Sequence, residues 1–260
     1  MKPSRGKNSY EKQKEKLARP VIGITCAWSV ETWGHERGRG GYLYVGKHYI
    51  DCILDAGGLP FIIPLVTEDV FRDFNVDEIT DFIDGLILSG GGDSLAKKEK
   101  KIGTLEEQQP CRYKFERELF LKSYSKGIPV LGICRGLQMI VEALGGSLHE
   151  DTVKGHNQVE EPACPTHMLL TREKTQARKV LGNESIKVNS FHAQTVNNIP
   201  NGFMVSGLSE DGVVEFIEST TSSFVWGVQF HPEEMYFSDE KMRKIINAFV
   251  EKTKEFKLMC

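Results

Sequence analysis

No run in the 260-residue sequence is long and apolar enough to cross a bilayer, since a spanning helix needs about 20 consecutive apolar residues. The N-terminus lacks the apolar stretch of a secretory signal. The six cysteines, Cys26, Cys52, Cys111, Cys134, Cys164 and Cys260, contain no CxxC pair. Their scatter through a chain of this size excludes the disulfide framework of small secreted domains. Reduced thiols in a reducing, cytoplasmic compartment are expected. The net charge of −3 is unlike the concentrated basic face of a nucleic-acid binder, and no Rossmann, zinc-finger or RNA-recognition signature is present. The run Gly90-Gly91-Gly92 lacks the Gly-Lys-Ser/Thr ending of a P-loop. No cluster of ligands stands at metal-site spacing in the sequence, so neither a metal nor an organic cofactor is expected.

What the chain does have is an ordinary globular composition, 40% hydrophobic and 27% charged, enough for a large core without staples. Residues 1–19 are polar and rich in lysine (Lys7, Lys12, Lys14, Lys16) and are expected to be a disordered leader. Glu11 and Glu15 interrupt the positive run and argue against a transit peptide. Residues 20–260 are expected to form a single domain. Apolar, β-branched runs predict strands at Val21–Thr25, Leu59–Pro64, Leu86–Leu88 and Pro129–Ile133. A glycine-rich loop is expected from Trp28 to Gly41. Helical spacing is read over Tyr44–Leu54, Phe115–Ser125 and Leu137–Leu144. Further β-like runs fall at Ile186–Phe191, Phe203–Ser206, Val213–Ile217 and Phe224–Phe230, before a final helix over Asp239–Phe256. Strands alternating with helices imply an α/β fold, with a parallel sheet covered on both faces. Such sheets hold ligands at the carboxyl ends of their strands.

Two of those ends carry chemistry. The apolar strand Pro129–Ile133 runs into Gly132-Ile133-Cys134-Arg135-Gly136, and a helix follows at once. This is the strand–tight turn–helix pattern of a nucleophile elbow, with cysteine as nucleophile. The glycines allow a strained backbone and close approach of strand and helix. The helix N-terminus favours thiolate over thiol. At a second strand end, Trp226-Gly-Val-Gln-Phe-His231-Pro-Glu233 supplies a histidine and, two positions on, a carboxylate. Glu233 can hold one imidazole nitrogen while the other faces Cys134, which is the nucleophile–base–orienter logic. Glu234 competes for the orienting role, but neighbouring side chains diverge.

The motifs Leu88-Ser-Gly-Gly-Gly-Asp93, Gly132-Ile-Cys-Arg-Gly-Leu-Gln138, Gly145-Gly-Ser-Leu-His149, Asn189-Ser-Phe-His192 and Gln229-Phe-His-Pro-Glu233 together resemble the class I glutamine amidotransferase-like hydrolases. The likeness is to the branch of γ-glutamyl-γ-aminobutyrate hydrolases, the peptidase C26 type, and covers nearly the whole chain after Arg19. It implies a flavodoxin-like three-layer sandwich with a central, mostly parallel sheet. It also implies a Cys134–His231–Glu233 triad hydrolysing γ-glutamyl amides of small molecules through a thioester. The oxyanion donors are expected at Arg135 and, by resemblance, at Gly91 with Gly92 as near alternative. Gln138, His192 and Gln194 match positions that hold the glutamyl group, although Ala193 replaces the middle histidine of the family's His-His-Gln. After Asp93, Ser94–Lys101 replaces the family's proline-containing loop and reads as a solvated charged loop. The alternatives are a glutaminase subunit feeding ammonia to a separate synthetase, a related cysteine-elbow intracellular protease, and a non-catalytic binding protein that keeps the fold. The expected partner is a small molecule, not nucleic acid or membrane, and homo-oligomerisation is left open.

Overall fold

The computed structural model describes residues 19–29, 42–66, 75–91, 102–182, 184–221 and 223–259. The polar leader up to residue 18, residues 30–41 of the glycine-rich loop, Gly92, and the charged Ser94–Lys101 segment lie outside the described residues. In chain order the elements are β1 (Val21–Thr25), β2 (Ala27–Ser29), β3 (Tyr42–Tyr44), α1 (Lys47–Asp55), β4 (Leu59–Ile63), α2 (Val76–Phe82), β5 (Gly85–Leu88), α3 (Leu105–Gln108), α4 (Pro110–Ser125), β6 (Val130–Ile133) and α5 (Arg135–Ala143). There follow β7 (Ser147–Leu148), β8 (His167–Thr171), α6 (Gln176–Leu181), β9 (Ser185–Val188), β10 (Val196–Asn198), β11 (Phe203–Ser209), β12 (Val214–Ser219), β13 (Val225–Val228), α7 (Pro232–Met235) and α8 (Glu240–Met259).

Among the described residues, nine strands form one sheet in the order β4-β1-β5-β6-β13-β12-β11-β8-β9. From β4 to β13 every pairing is parallel, and from β13 to β9 every pairing is antiparallel. The two halves follow from composition. Strands β5, β6 and β13 are buried at every residue, the pattern of strands covered on both faces. The antiparallel half is built from strands such as β8 and β9, where buried and exposed residues mix.

Successive residues of the central strands point to opposite layers. Ile87, Leu131 and Ile133 join one core with α1, α6, α7 and α8, through residues such as Ile53, Leu181, Met235 and Phe249. Leu86, Leu88 and Val130 join the other with α2, α4 and α5, through Val76, Phe115 and Ile140. This is the flavodoxin-like three-layer sandwich that the family resemblance implies. The last helix shows why its pattern was readable: Met242, Ile245, Ile246, Phe249, Val250 and Thr253 are its buried stripe, at the spacing of one helical face.

Helix α4 starts five residues before the expected Phe115, because Pro110 occupies its first turn, where the missing N–H costs nothing. Helix α2, which sequence pattern alone did not reveal, is capped by Asn75 accepting from the Asp77 amide at 2.8 Å.

The parallel register places the carboxyl ends of β5, β6 and β13 side by side, with Leu88 opposite Gly132 and Ile133 opposite Val228. Two glycines make this closeness possible. A Cβ on Gly136 would stand 2.0 Å from the Leu88 carbonyl oxygen, and one on Gly132 would stand 2.5 Å from the Gly136 carbonyl oxygen. Both obstacles are backbone, so neither can swing aside. The variant Gly136→Ala is expected to lose about 1–3 kcal/mol through overpacking. In urea unfolding its midpoint should fall with the slope unchanged.

Candidate active site

Cys134 sits between β6 and α5 with φ 53° and ψ −105°. Among the described residues only Lys174 shares a positive φ without being glycine. The Cys134 amide donates to the Val228 carbonyl at 2.7 Å, which ties the strained residue to β13. Its side chain is largely buried and lies beside the His231 imidazole, since a Cβ on Gly90 would touch both residues. His231 follows β13, and its Nδ1 lies 2.7 Å from Glu233 Oε1. Glu234, the competing acid, turns away and pairs with His48. The structure therefore brings Cys134, His231 and Glu233 together in that order.

The His231 backbone is held from both sides by Asn189. The His231 amide donates to Asn189 Oδ1 at 2.8 Å, and Asn189 Nδ2 donates to the His231 carbonyl at 3.1 Å. Phe191 packs edge-on against the imidazole, with centroids 5.8 Å apart. Burial by itself pulls the His231 pKa down, but the Glu233 carboxylate and the Cys134 sulfur outweigh it and hold the pKa well above the ordinary histidine value.

Gly90 faces the pair from the loop after β5. A Cβ there would stand 2.9 Å from His231 Cε1 and 3.3 Å from Cys134 Cβ. Its amide donates to the Tyr49 hydroxyl at 3.0 Å. Tyr49, on α1, also faces Glu233; burial first and that carboxylate second push its phenol well above the usual range. Gly91 has φ 71° and, with Arg135, lines the cavity beside Cys134. Gly92 lies outside the described residues.

Beneath this loop lies a charge cluster that the sequence motifs did not announce. Arg112 is 2% exposed. Its guanidinium donates to the carbonyls of Ser89 at 2.9 Å, Gly90 at 3.2 Å and Gly91 at 2.6 Å. Its Nε donates to Glu116 at 2.9 Å. The same Glu116 carboxylate accepts from the Arg135 side chain and, at 2.7 Å, from Thr25 Oγ1. Burial acts on Glu116 to raise its pKa, yet the two guanidiniums bring it below the usual carboxylate range. The spacing of Arg112 and Glu116, one helical turn apart, was the available signal.

A cavity of about 110 Å³ opens at Cys134, lined by Gly91, Arg135, Gln138, Phe191, His192 and Gln194 among others. All three residues expected to hold substrate thus stand in its wall, with polar atoms engaged in the protein. Gln138 Nε2 donates to the Gln194 carbonyl at 2.9 Å. Gln194 donates to the carbonyls of His149 at 3.0 Å and Gly103 at 3.2 Å. His192 Nδ1 lies 3.2 Å from the Gln194 carbonyl. Among the described residues no helix is long and apolar enough to cross a membrane.

Fold and site geometry together define an amidotransferase-like α/β protein with a cysteine elbow. The chain belongs to the Peptidase C26 family, whose model matches residues 20–233. It is 31% identical to a putative glutamine amidotransferase of Mycobacterium tuberculosis, over 89% of this chain and 75% of that one. It is 28% identical to the γ-glutamyl-γ-aminobutyrate hydrolase of Escherichia coli K12, over 72% of this chain and 77% of that one. Among solved structures, it matches a glutamine amidotransferase of Thermotoga maritima with a TM-score of 0.57 at 17% identity, covering 91% of this chain and 97% of that one.

Two measurements check this geometry. Glu116→Gln leaves two buried guanidiniums without their shared carboxylate, and should cost about 3–5 kcal/mol in denaturant-measured stability. For His231 the folded pKa lies above the unfolded value of about 6.5, so its contribution to stability is complete below that pH and is lost as pH rises through the folded value. Glu233→Gln removes the largest raising influence. An NMR titration of the His231 ring should then show deprotonation at lower pH than in the wild type; an unchanged midpoint would contradict the assignment.

Proposed function

We propose that this protein hydrolyses γ-glutamyl amide bonds in small molecules, with Cys134 as nucleophile, His231 as proton carrier and Glu233 as its orienter. The observation that carries the reading is the imidazole of His231, 2.7 Å from the Glu233 carboxylate and adjacent to Cys134, at a cavity on the carboxyl edge of the parallel strands. The family membership and the hydrolase relative in Escherichia coli support it.

The Cys134 thiolate adds to the amide carbon. Negative charge gathers on the carbonyl oxygen, where the amides of Gly91 and Arg135 receive it; Gly92 is the alternative donor. The C–N bond breaks as the His231 imidazolium gives its proton to the departing amine, leaving a thioester on Cys134. A water molecule then loses a proton to His231 and attacks the thioester. Its collapse releases the γ-carboxylate of the glutamyl product and restores the sulfur. Glu233 keeps Nδ1 protonated, so that Nε2 faces the reaction, and it steadies the imidazolium. The glutamyl group occupies the small cavity, walled by Gln138, His192 and Gln194.

A second reading is favoured by the Mycobacterium relative, a putative glutamine amidotransferase. Here glutamine is the substrate and the ammonia goes to a separate synthetase. A screen of γ-glutamyl amides and free glutamine, without any partner and with mass detection, separates the two. Turnover of γ-glutamyl-γ-aminobutyrate or related amides well above glutamine is expected. Cys134→Ala should lower turnover by at least ~10³-fold while keeping the wild-type melting curve. Near-normal hydrolysis by a folded Cys134→Ala protein would end the proposal.

A further inference from the structure

A second knot of titratable side chains lies on the antiparallel half of the sheet. Glu215, on β12, is fully buried at 0% exposure. Its Oε1 lies 3.3 Å from His156 Nδ1, 3.3 Å from His167 Nε2 and 3.5 Å from His192 Nε2. None of these contacts meets the geometry of a hydrogen bond. Both Glu215 oxygens, both nitrogens of His167, His156 Nδ1 and His192 Nε2 are buried and lack a hydrogen-bond partner. Buried polar atoms are rarely left in this state, because each has given up its water.

The outer nitrogens fix the protons. His156 Nε2 lies 3.2 Å from the Asp211 carboxylate, and His192 Nδ1 lies 3.2 Å from the Gln194 carbonyl. Carboxylates and carbonyls only accept, so the hydrogens sit on those outer nitrogens. In neutral rings the inner nitrogens then turn lone pairs toward an anionic carboxylate. That arrangement is repulsive unless a positive charge lies between them.

We propose that His156, His167, His192 and Glu215 bind a divalent first-row transition-metal ion of the zinc class. The ligand atoms of His156, His167 and Glu215 lie within 4.8 Å of one another, and His192 Nε2 offers the fourth. A tetrahedral ion with arms of about 2.0–2.1 Å holds its ligand atoms about 3.3–3.4 Å apart, close to the distances from Glu215 Oε1 to its three histidines; ligand atoms spread over as much as 4.8 Å would draw together on binding. Imidazoles with one carboxylate suit zinc. The outer bonds of His156 to a carboxylate and of His192 to a carbonyl are the supports that orient metal-bound histidines. Four protein ligands leave no open position, so the ion is structural and takes no part in bond breaking.

Its effect would be to fix the cavity wall. The His156 carbonyl accepts from the His192 amide at 2.8 Å and from Ser190 Oγ at 2.7 Å, and Asn157 forms a bridge with Phe191. The long connection between β7 and β8 is thereby fastened to the segment that carries Phe191, His192 and Gln194 into the cavity.

The test uses the full chain in a Cys134→Ala background, which removes the active-site thiol as a competing ligand, purified without a metal-affinity tag. Elemental analysis should find about one zinc per chain. After chelation, Co²⁺ should restore one equivalent with the intense visible d–d bands of a four-coordinate site. Zinc at saturation should raise the Tm of the stripped protein by roughly 5 °C or more; unfolding on chelation with recovery on zinc supports the site equally. His167→Gln and Glu215→Gln should each weaken binding at least tenfold. The proposal is overturned if the stripped chain stays folded and takes up neither ion at micromolar concentration. It is also overturned if a folded His167→Gln protein binds with wild-type affinity and spectrum.

Discussion

One carboxylate, Glu116, is the tie on which the geometry of the reaction edge depends. It is buried on α4 and shared by two guanidiniums that serve different walls of the site. Through Arg112 it governs the loop after β5, because that side chain holds three successive carbonyls, Ser89, Gly90 and Gly91. Carbonyls drawn down toward Arg112 leave the amides of the same loop free to face other ways, and Gly90 indeed gives its amide to Tyr49. Through Arg135 the carboxylate reaches the residue directly after Cys134. Isolated guanidiniums are costly to bury, so removing the acid would release both walls at once. Burial and the neighbouring Arg112 charge already lower the Arg135 pKa to about 10.

Above that charge cluster, Cys134 stands in a backbone conformation that costs of order 1–3 kcal/mol in a side-chain-bearing residue. The cost is met by packing that leaves no room to relax. The Cys134 amide is bonded to β13, Gly132 and Gly136 let α5 press against β5 and β6, and α5 is buried along nearly its whole length. The strain points the side chain out of the sheet edge toward the residue that follows β13. Parallel pairing makes that residue His231, because β6 and β13 are neighbours in register. Proximity of sulfur and imidazole is therefore a product of strand order, and Asn189 and Glu233 only refine it.

Much of this was legible from local pattern. The elbow announces itself by glycines at fixed offsets from a cysteine, and the histidine by an apolar strand that ends in His-Pro-Glu. Each signal occupies a few consecutive residues. The Arg112–Glu116 pair was missed for a definable reason: the expected helix began at Phe115, which left Arg112 in a loop, although Pro110 marked the true first turn. Tyr49 was unreadable because a phenol on a buried helix face looks like any core aromatic until the loop after β5 is laid against it. The antiparallel half was only partly visible. Its strands β11 and β12 were read, but β8 was not, and pairing between distant strands leaves no short-range trace.

The histidine knot shows the same limit most sharply, and it bears on how the two halves cooperate. Its four members come from positions 156, 167, 192 and 215, each in a different local context, so no spacing rule could gather them. The parallel half supplies the sulfur, the imidazole and the charge cluster. The antiparallel half supplies the remaining wall, through the segment after β9. That segment has little regular structure of its own, yet it carries Asn189, which grips the His231 backbone, and Phe191, which packs on its ring. A wall made of irregular chain keeps its shape only if something behind it is rigid. Glu116 meets that requirement for the loop after β5, and Glu215, with its ring of histidines, stands in the corresponding place behind the other wall.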